Sequence, residues 1–326
     1  MATTARPMTA TTGVSGPESD KRVVIVLGAS SGIGRACARA FAAEGARVVL
    51  VARGEEGVEQ ARRECEADGA SAALAMTADV LDEDRVQRVV DRAVAVFGRV
   101  DVVVHSASVM AYGTIEQVPP TVFARVVDTA ILGTANVARS VLPTFREQGR
   151  GTLVIVTSLL ASIPVPSMGA YIAGKWGQLA LARVLQLEVR DAPDVHVCTV
   201  APGSVDTPIF RHAANFAGRV GRPPPPVISA GKVAQAVVRT ADRPVKRRSV
   251  GPANGIVVLG YRLLPRPYDR LVGPLARMAV FARDAARPTE GNVFTPLRPE
   301  QPADQPDNRG LHVRVATGLR KLRSGT

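Results

Sequence analysis

The sequence predicts a doubly wound α/β fold, a parallel sheet with helices on both faces. Three observations carry this. Short runs rich in Val, Ile and Leu recur, such as RVVIVL at 22–27 and RVVLVA at 47–52. They are apolar throughout rather than alternating, as strands covered on both faces should be. Between them lie segments of helical spacing that close on Gly45, Gly69 and Gly98. A Gly/Ser turn, GASSGIG at 28–34, joins the first strand run directly to the first helical run. Parallel neighbours need long crossover connections, and helices alternating with strands supply them.

The elements follow in order. After the Gly/Ser turn, RACARAFAAEGA has the apolar spacing of a helix and stops at Gly45. The second strand, 47–52, leads to a helix over 54–69 with a strongly polar face. ASAALAMTAD at 70–79 reads as a third strand. The helix over 81–98 has acidic residues in its first turn, where they complement the helix dipole. A fourth strand covers 99–104, and a long helical stretch runs over about 121–148. Strand TLVIVTS at 152–158, a helix over 169–190, strand VHVCTV at 195–200 and a helix over 229–241 complete the series. No internal repeat is evident, because every unit has its own turn residues.

Length and composition bound the rest. A chain of 326 residues with 46% hydrophobic content can bury a full core. No apolar run reaches the ~18 residues of a membrane-spanning helix. Residues 1–20 are rich in Thr, Ala, Gly and Pro with no apolar core, so they read as a disordered lead and not as a signal peptide. The α/β domain is expected over 21–250, and a basic, Pro-rich extension over 251–326. Within the latter, the stretch 287–310 reads as flexible. The net charge of +12 is concentrated there: residues 243–326 hold sixteen Lys and Arg against six Asp and Glu. A nearly neutral main domain argues against nucleic acid as partner. Cys37, Cys65 and Cys198 are scattered, which argues against disulfides and zinc and suits a cytoplasmic setting.

The Gly/Ser turn sits where a phosphate-binding turn must sit, between a strand and the N-terminus of the next helix. Glycines allow the close approach of a pyrophosphate, and the exposed helix amides favour its charge. Gly28, Ser30, Ser31, Gly32, Ile33 and Gly34 are its candidate contacts. The spacing is GxxxGxG. At this point the chain resembles the short-chain dehydrogenase/reductase family, in its single-domain branch with a TGxxxGxG and a YxxxK motif and a Rossmann fold. Leu27 stands where that family usually has Thr.

The second strand ends in Ala52 and Arg53. A dinucleotide fold reads the adenosine ribose there. An acid would bind the 2′-hydroxyl of NAD(H), whereas an Arg accommodates the 2′-phosphate of NADP(H). The missing acid and the Arg together favour NADP(H). Asp79 and Val80 match the pair that flanks the adenine in the resembled family, although Asp79 alone suits a helix cap.

Tyr171 and Lys175 form YxxxK on a helix, where residues four apart share a face. A free phenol with a pKa near ~10 is a poor acid–base group at neutral pH, and a nearby ammonium is expected to lower it. Ser158 lies thirteen residues before Tyr171, at the carboxyl end of a strand, where such sheets place their sites. The resemblance implies that Tyr171 is the general acid/base, that Ser158 polarises the substrate oxygen, and that Lys175 tunes Tyr171 and holds the nicotinamide ribose. It further implies cofactor contacts from Pro202, Gly203, Val205 and Thr207, and a substrate lid over 209–228. Three departures stand out. Ala130 replaces the Asn that holds a relay water in the family, Gly174 replaces a Ser, and His105-Ser-Ala-Ser108 replaces an NNAG segment. His105 is then read as a hydrogen-bonding brace rather than a base, with Ala107 and Ser108 along the cofactor.

No metal-binding cluster is evident in the sequence. The candidate substrate pocket is apolar: Val109, Met110, Leu159, Leu160, Pro164, Met168 and Phe210. It suits a hydrophobic ketone, aldehyde or alcohol. The alternative is a sensor or scaffold that binds the cofactor with little turnover. The resemblance implies a homodimer or homotetramer. The basic extension, with Leu, Val, Phe and Tyr interleaved, has the composition of a peripheral membrane contact. Its prolines favour instead helices folded back on the domain or packed between subunits, with a solvated tail.

Overall fold

A computed structural model describes residues 21–297. The expectations for residues 1–20 and 298–326 therefore lie outside the described residues.

Seven parallel strands form the central sheet: β1 Val23–Leu27, β2 Arg47–Ala52, β3 Ala72–Thr77, β4 Val102–His105, β5 Gly151–Val156, β6 Val195–Pro202 and β7 Arg247–Val250. Their spatial order is β7-β6-β5-β4-β1-β2-β3. The chain builds outward from β1 to β3 and then crosses back to lay β4 beside β1. Such a reversal leaves a crevice outside the strand carboxyl ends, since the loops after β1 and β4 diverge. The register aligns those ends: Leu27 faces Val51 and His105, and His105 faces Ile155.

The helices are α1 Gly32–Ala43, α2 Glu55–Ala67, α3 Glu83–Phe97, α4 Pro120–Gln148, α5 Gly169–Glu188 and α6 Ala230–Asp242. Side chains in a strand point alternately to its two faces. Accordingly Val24 and Val26 of β1 enter the core layer shared with α1, α2 and α6. Ile25 and Leu27 enter the layer shared with α3, α4 and α5. Local signals place the boundaries. Asp82 caps α3 by accepting from Arg85 N, and Gly98 ends it in the left-handed region at φ 81°. Cys37, Cys65 and Cys198 are buried and unpaired.

Strand β7 was not legible as a strand, because RRSV lacks the apolar run of a central strand. It is a four-residue edge strand, paired on one side only with β6. Beyond it the chain forms α7 Asn254–Leu263 and α8 Pro265–Val280. The prolines act more locally than expected. Pro265 and Pro267 sit in the first turn of α8, where no intrahelical amide bond is lost, and Pro274 lies inside the helix. Ile256, Leu259 and Leu263 on α7 and Leu271, Leu275 and Met278 on α8 are exposed. Among the described residues, no helix is long and apolar enough to cross a membrane.

The segment after α8 also differs from expectation. Phe281–Ala285 pairs antiparallel with Arg219–Gly221, and Thr289 bridges to Asn215. Val293 is fully buried beside Val109, Ala111 and Ala214. Residues 287–297 are thus a strap packed on the domain rather than a loose linker; burial of Val293 and the bonds to 212 and 215 outweigh the turn-forming composition.

Candidate active site

Two adjoining cavities open along the carboxyl edge of the sheet, and Ile33, Ser106 and Ser108 line both. The first, of about 150 Å³, runs over the Gly/Ser turn. Gly28 has φ +89°, and a Cβ there would lie 2.7 Å from the Ala107 amide nitrogen. A Cβ on Gly34 would lie 2.1 Å from the Gly28 carbonyl oxygen. Only glycine lets the turn fold back on itself and lie against 106–107. Ser31, the N-cap of α1, makes no side-chain cap bond, so the first-turn amides are left for another acceptor. This backbone cradle fits the pyrophosphate of a dinucleotide.

Ser30, Ser31, Ile33, Asp79, Val80 and Thr207 line this cavity, as do Ala107 and Ser108. Gly32 touches the Thr207 side chain from the turn: a Cβ on it would lie 3.2 Å from Thr207 Cγ2. Asp79 is committed locally, since it accepts from Leu81 N at 3.0 Å and pairs with Arg125. Arg53 also lines the cavity, but its guanidinium donates to the strap: to the Val293 carbonyl at 2.9 Å, to that of Phe294 at 3.3 Å, and to that of Asn292. Asn292 itself lines the cavity. No local spacing marks it, and sequence reasoning missed it.

The second cavity, of about 160 Å³, holds the three predicted catalytic side chains, Ser158, Tyr171 and Lys175. Ser158 follows β5 and caps a short 3₁₀ turn, accepting from Leu160 N at 3.1 Å. Tyr171 and Lys175 project from the first turns of α5, and the Lys175 Nζ lies 5.7 Å from the Tyr171 ring centre. Burial pushes the phenol up to about 12, while hydrogen bonding with Ser158 and Ser108 pulls it down in part. The lowering expected from Lys175 does not enter this balance, which burial and the two serines set. Burial likewise pushes the Lys175 amine down to about 7.

Met110, Leu159, Leu160, Met168 and Phe210 line this cavity as predicted, and Pro202, Gly203 and Val205 form its far wall. Two assignments need correction. Val109 lines the first cavity instead, because alternation along 109–110 sends its neighbour Met110 the other way. Pro164 is absent from the lining and its carbonyl accepts the Tyr268 hydroxyl at 2.7 Å; Val165 takes the pocket position. Val280, from the end of α8, and Pro224, from the predicted lid, complete the apolar wall. His105 corrects a further expectation. It is fully buried in the sheet, and neither ring nitrogen has a hydrogen-bond partner. Burial, then the Lys175 charge, push it down to about 3, so it is a neutral packing group rather than a hydrogen-bonding brace. Among the described residues no group of His, Cys, Asp and Glu is placed to hold a metal ion.

A family model described as short chain dehydrogenase matches residues 22–217. Dehydrogenase/reductase SDR family member 4 of Bos taurus is 34% identical over 59% of this chain and 68% of its own. An uncharacterised oxidoreductase of Bacillus subtilis, YxnA, is 30% identical over 84% of this chain and 77% of its own, a match long enough to reach into the extension. Among solved structures, an alcohol dehydrogenase of Thermococcus sibiricus complexed with 5-hydroxy-NADP has a TM-score of 0.62 at 27% identity, covering 71% of this chain and 95% of that one. A short chain dehydrogenase of Mycobacterium paratuberculosis bound to NAD has a TM-score of 0.62 at 26% identity, covering 70% and 96%.

Proposed function

Because the chain belongs to the short-chain dehydrogenase/reductase family, we propose that it is an NADP(H)-dependent oxidoreductase that interconverts a hydrophobic ketone or aldehyde and its alcohol. The observation that carries this reading is the position of the Tyr171 phenol. It is flanked by the Ser158 and Ser108 hydroxyls, and Ser108 belongs to both the apolar cavity and the dinucleotide cradle. A carbonyl group in the apolar cavity then meets an acid, a hydrogen-bond donor and the reactive end of a cofactor at one place.

When bound, a nicotinamide dinucleotide supplies the hydride in reduction and accepts it in oxidation. Gly28, Ser30, Ser31, Gly32, Ile33 and Gly34 would hold its pyrophosphate, and Arg53 its adenosine end. The protein's own residues handle the oxygen. Ser158 donates to it and polarises it. Tyr171 gives it a proton in reduction and takes one back in oxidation. A phenol held near 12 is protonated at neutral pH, the form that donates in reduction. Lys175 lines the same cavity from below and holds its amine beside the Tyr171 ring. The apolar walls exclude water and select against charged substrates, since no lining Arg or acidic side chain meets them in the second cavity.

NADP(H) is favoured by Arg53 at the mouth of the first cavity and by the lack of an acid at Ala52. The test is consumption of NADPH and of NADH against a panel of apolar and charged carbonyl compounds, with Tyr171→Phe as control. Turnover of apolar ketones or aldehydes with NADPH, lost in Tyr171→Phe, supports the proposal. NADPH binding without Tyr171-dependent turnover of any carbonyl compound overturns it in favour of a cofactor sensor. Turnover confined to sugars or charged acids overturns the substrate class.

A further inference from the structure

Lys175 has a defined set of partners. Its Nζ donates to the Val156 carbonyl at the end of β5, at 3.1 Å, and to Gln178 Oε1 one turn along α5, at 2.9 Å. A charged lysine has only donors, so the side of Gln178 that faces it must be the amide carbonyl. The amide nitrogen is then turned to its other partner, Thr134 Oγ1 on α4, at 2.9 Å. Thr134 gives its own hydroxyl proton to the Ala130 carbonyl at 2.7 Å and keeps a lone pair for Gln178. Each donor in this series therefore has one direction. Gln178 and Thr134 are fully buried, where an amide without partners is strongly disfavoured.

The packing of α4 against α5 makes the contact possible. Gly174 lies against Ala130, and a Cβ on Gly174 would come 2.9 Å from the Ala130 Cβ. One turn further along each helix stand Gln178 and Thr134. The smallest side chains in one layer thus let the next layer meet by hydrogen bonding. Among the described residues no carboxylate pairs with Lys175. The titratable groups that face it are His105 from β4 and Tyr171 on its own helix.

We infer that Gln178 is a positioning residue, anchored by Thr134, that fixes the Lys175 amine at the floor of the apolar cavity. With two donors of the charged amine fixed, the third serves the cleft that Lys175 lines. The inference rests on the functional reading above for its meaning in catalysis, but the arrangement has a signature of its own. The Gln178 carbonyl is one of the two acceptors that favour the charged amine against its burial.

The test is the titration of Lys175 itself, in the full chain, by NMR with isotope-labelled lysine. The sequence has five lysines, so the resonances are few, and Lys175→Met identifies the relevant one. Gln178→Glu, equal in size, should raise the titration point by about 1–3 pH units, because a carboxylate then faces the amine. Gln178→Leu should lower it, and Thr134→Val should shift it in the same direction by less. The pH profile of kcat should move with the titration while KM for the carbonyl compound stays close to wild type. If Gln178→Leu does not fold, Gln178→Glu decides alone. An unchanged titration point in folded Gln178→Glu overturns the inference. A wild-type protein that turns over no carbonyl compound overturns the functional reading instead and leaves the titration result standing.

Discussion

The Arg53 guanidinium, at the end of β2, donates at 2.9 Å to the carbonyl of Val293, a residue 240 positions further along the chain. It latches the C-terminal strap beside the first cavity, which Arg53 and Asn292 both line. A guanidinium has five donors, and the three carbonyls of Asn292, Val293 and Phe294 take three of them. Two remain, enough to hold the 2′-phosphate of the proposed NADP(H). Arg53→Ala should therefore weaken NADPH about ten- to a hundredfold, the loss expected for charge-assisted hydrogen bonds worth about 1.5–3 kcal/mol. NADH should weaken far less. Calorimetric titration of both cofactors checks this. An equal loss for both would mean that Arg53 serves the strap alone.

Tyr171→Phe removes the proton donor and keeps the ring. Turnover should fall by at least about 10²–10⁴-fold, the usual range for a positioned acid–base group. Ser158→Ala should cost about 10²–10³-fold, like the loss of one oxyanion donor. NADPH affinity should stay close to wild type in both, because the dinucleotide cradle is backbone. Steady-state kinetics with parallel binding measurements separate the two effects.

His105 links the sheet interior to acid stability. Its folded pKa is about 3, well below the ordinary value of 6.5. The unfolded chain therefore binds the proton first as pH falls. Stability is retained above about 6.5 and lost between there and about 3, at up to ~1.4 kcal/mol per pH unit. Wild type should lose about 2 kcal/mol between pH 7.5 and pH 5 through this group. His105→Asn should lack that component while keeping turnover at pH 7.5. Urea titrations at the two pH values measure it. Equal acid sensitivity in both proteins would contradict the assignment.

Much of this was written in local spacing. The Gly/Ser turn, the i,i+4 pair Tyr171 and Lys175, and the Ser158 offset are short patterns set by strand and helix periods, and the structure brings them to one cleft. What was illegible depends on distant partners. Nothing near Arg53 announces that residues 292–294 will meet it. The RRSV of β7 hides a strand because an edge position tolerates charge. His105 looked polar and available, yet lies between β1 and β5, where burial overrides its chemistry. Ala130 and Gly174 read as two separate departures from a family pattern, and only helix packing shows that they touch.

Val280 offers a test of how the extension shapes the substrate site. It ends α8, is buried, and lines the apolar cavity that also holds Ser158 and Tyr171, but not the cavity over the Gly/Ser turn. The cavity is small, about 160 Å³, so a larger side chain at its wall must take volume from the substrate. Interiors are packed closely enough that added volume is felt rather than absorbed. Val280→Trp should therefore lower kcat/KM for bulky apolar ketones far more than for small aldehydes. Val280→Ala should do the reverse by adding space. NADPH affinity should be unchanged in both. A uniform fall across substrates of all sizes, in a folded variant, would mean that α8 supports the site generally and does not set its size limit.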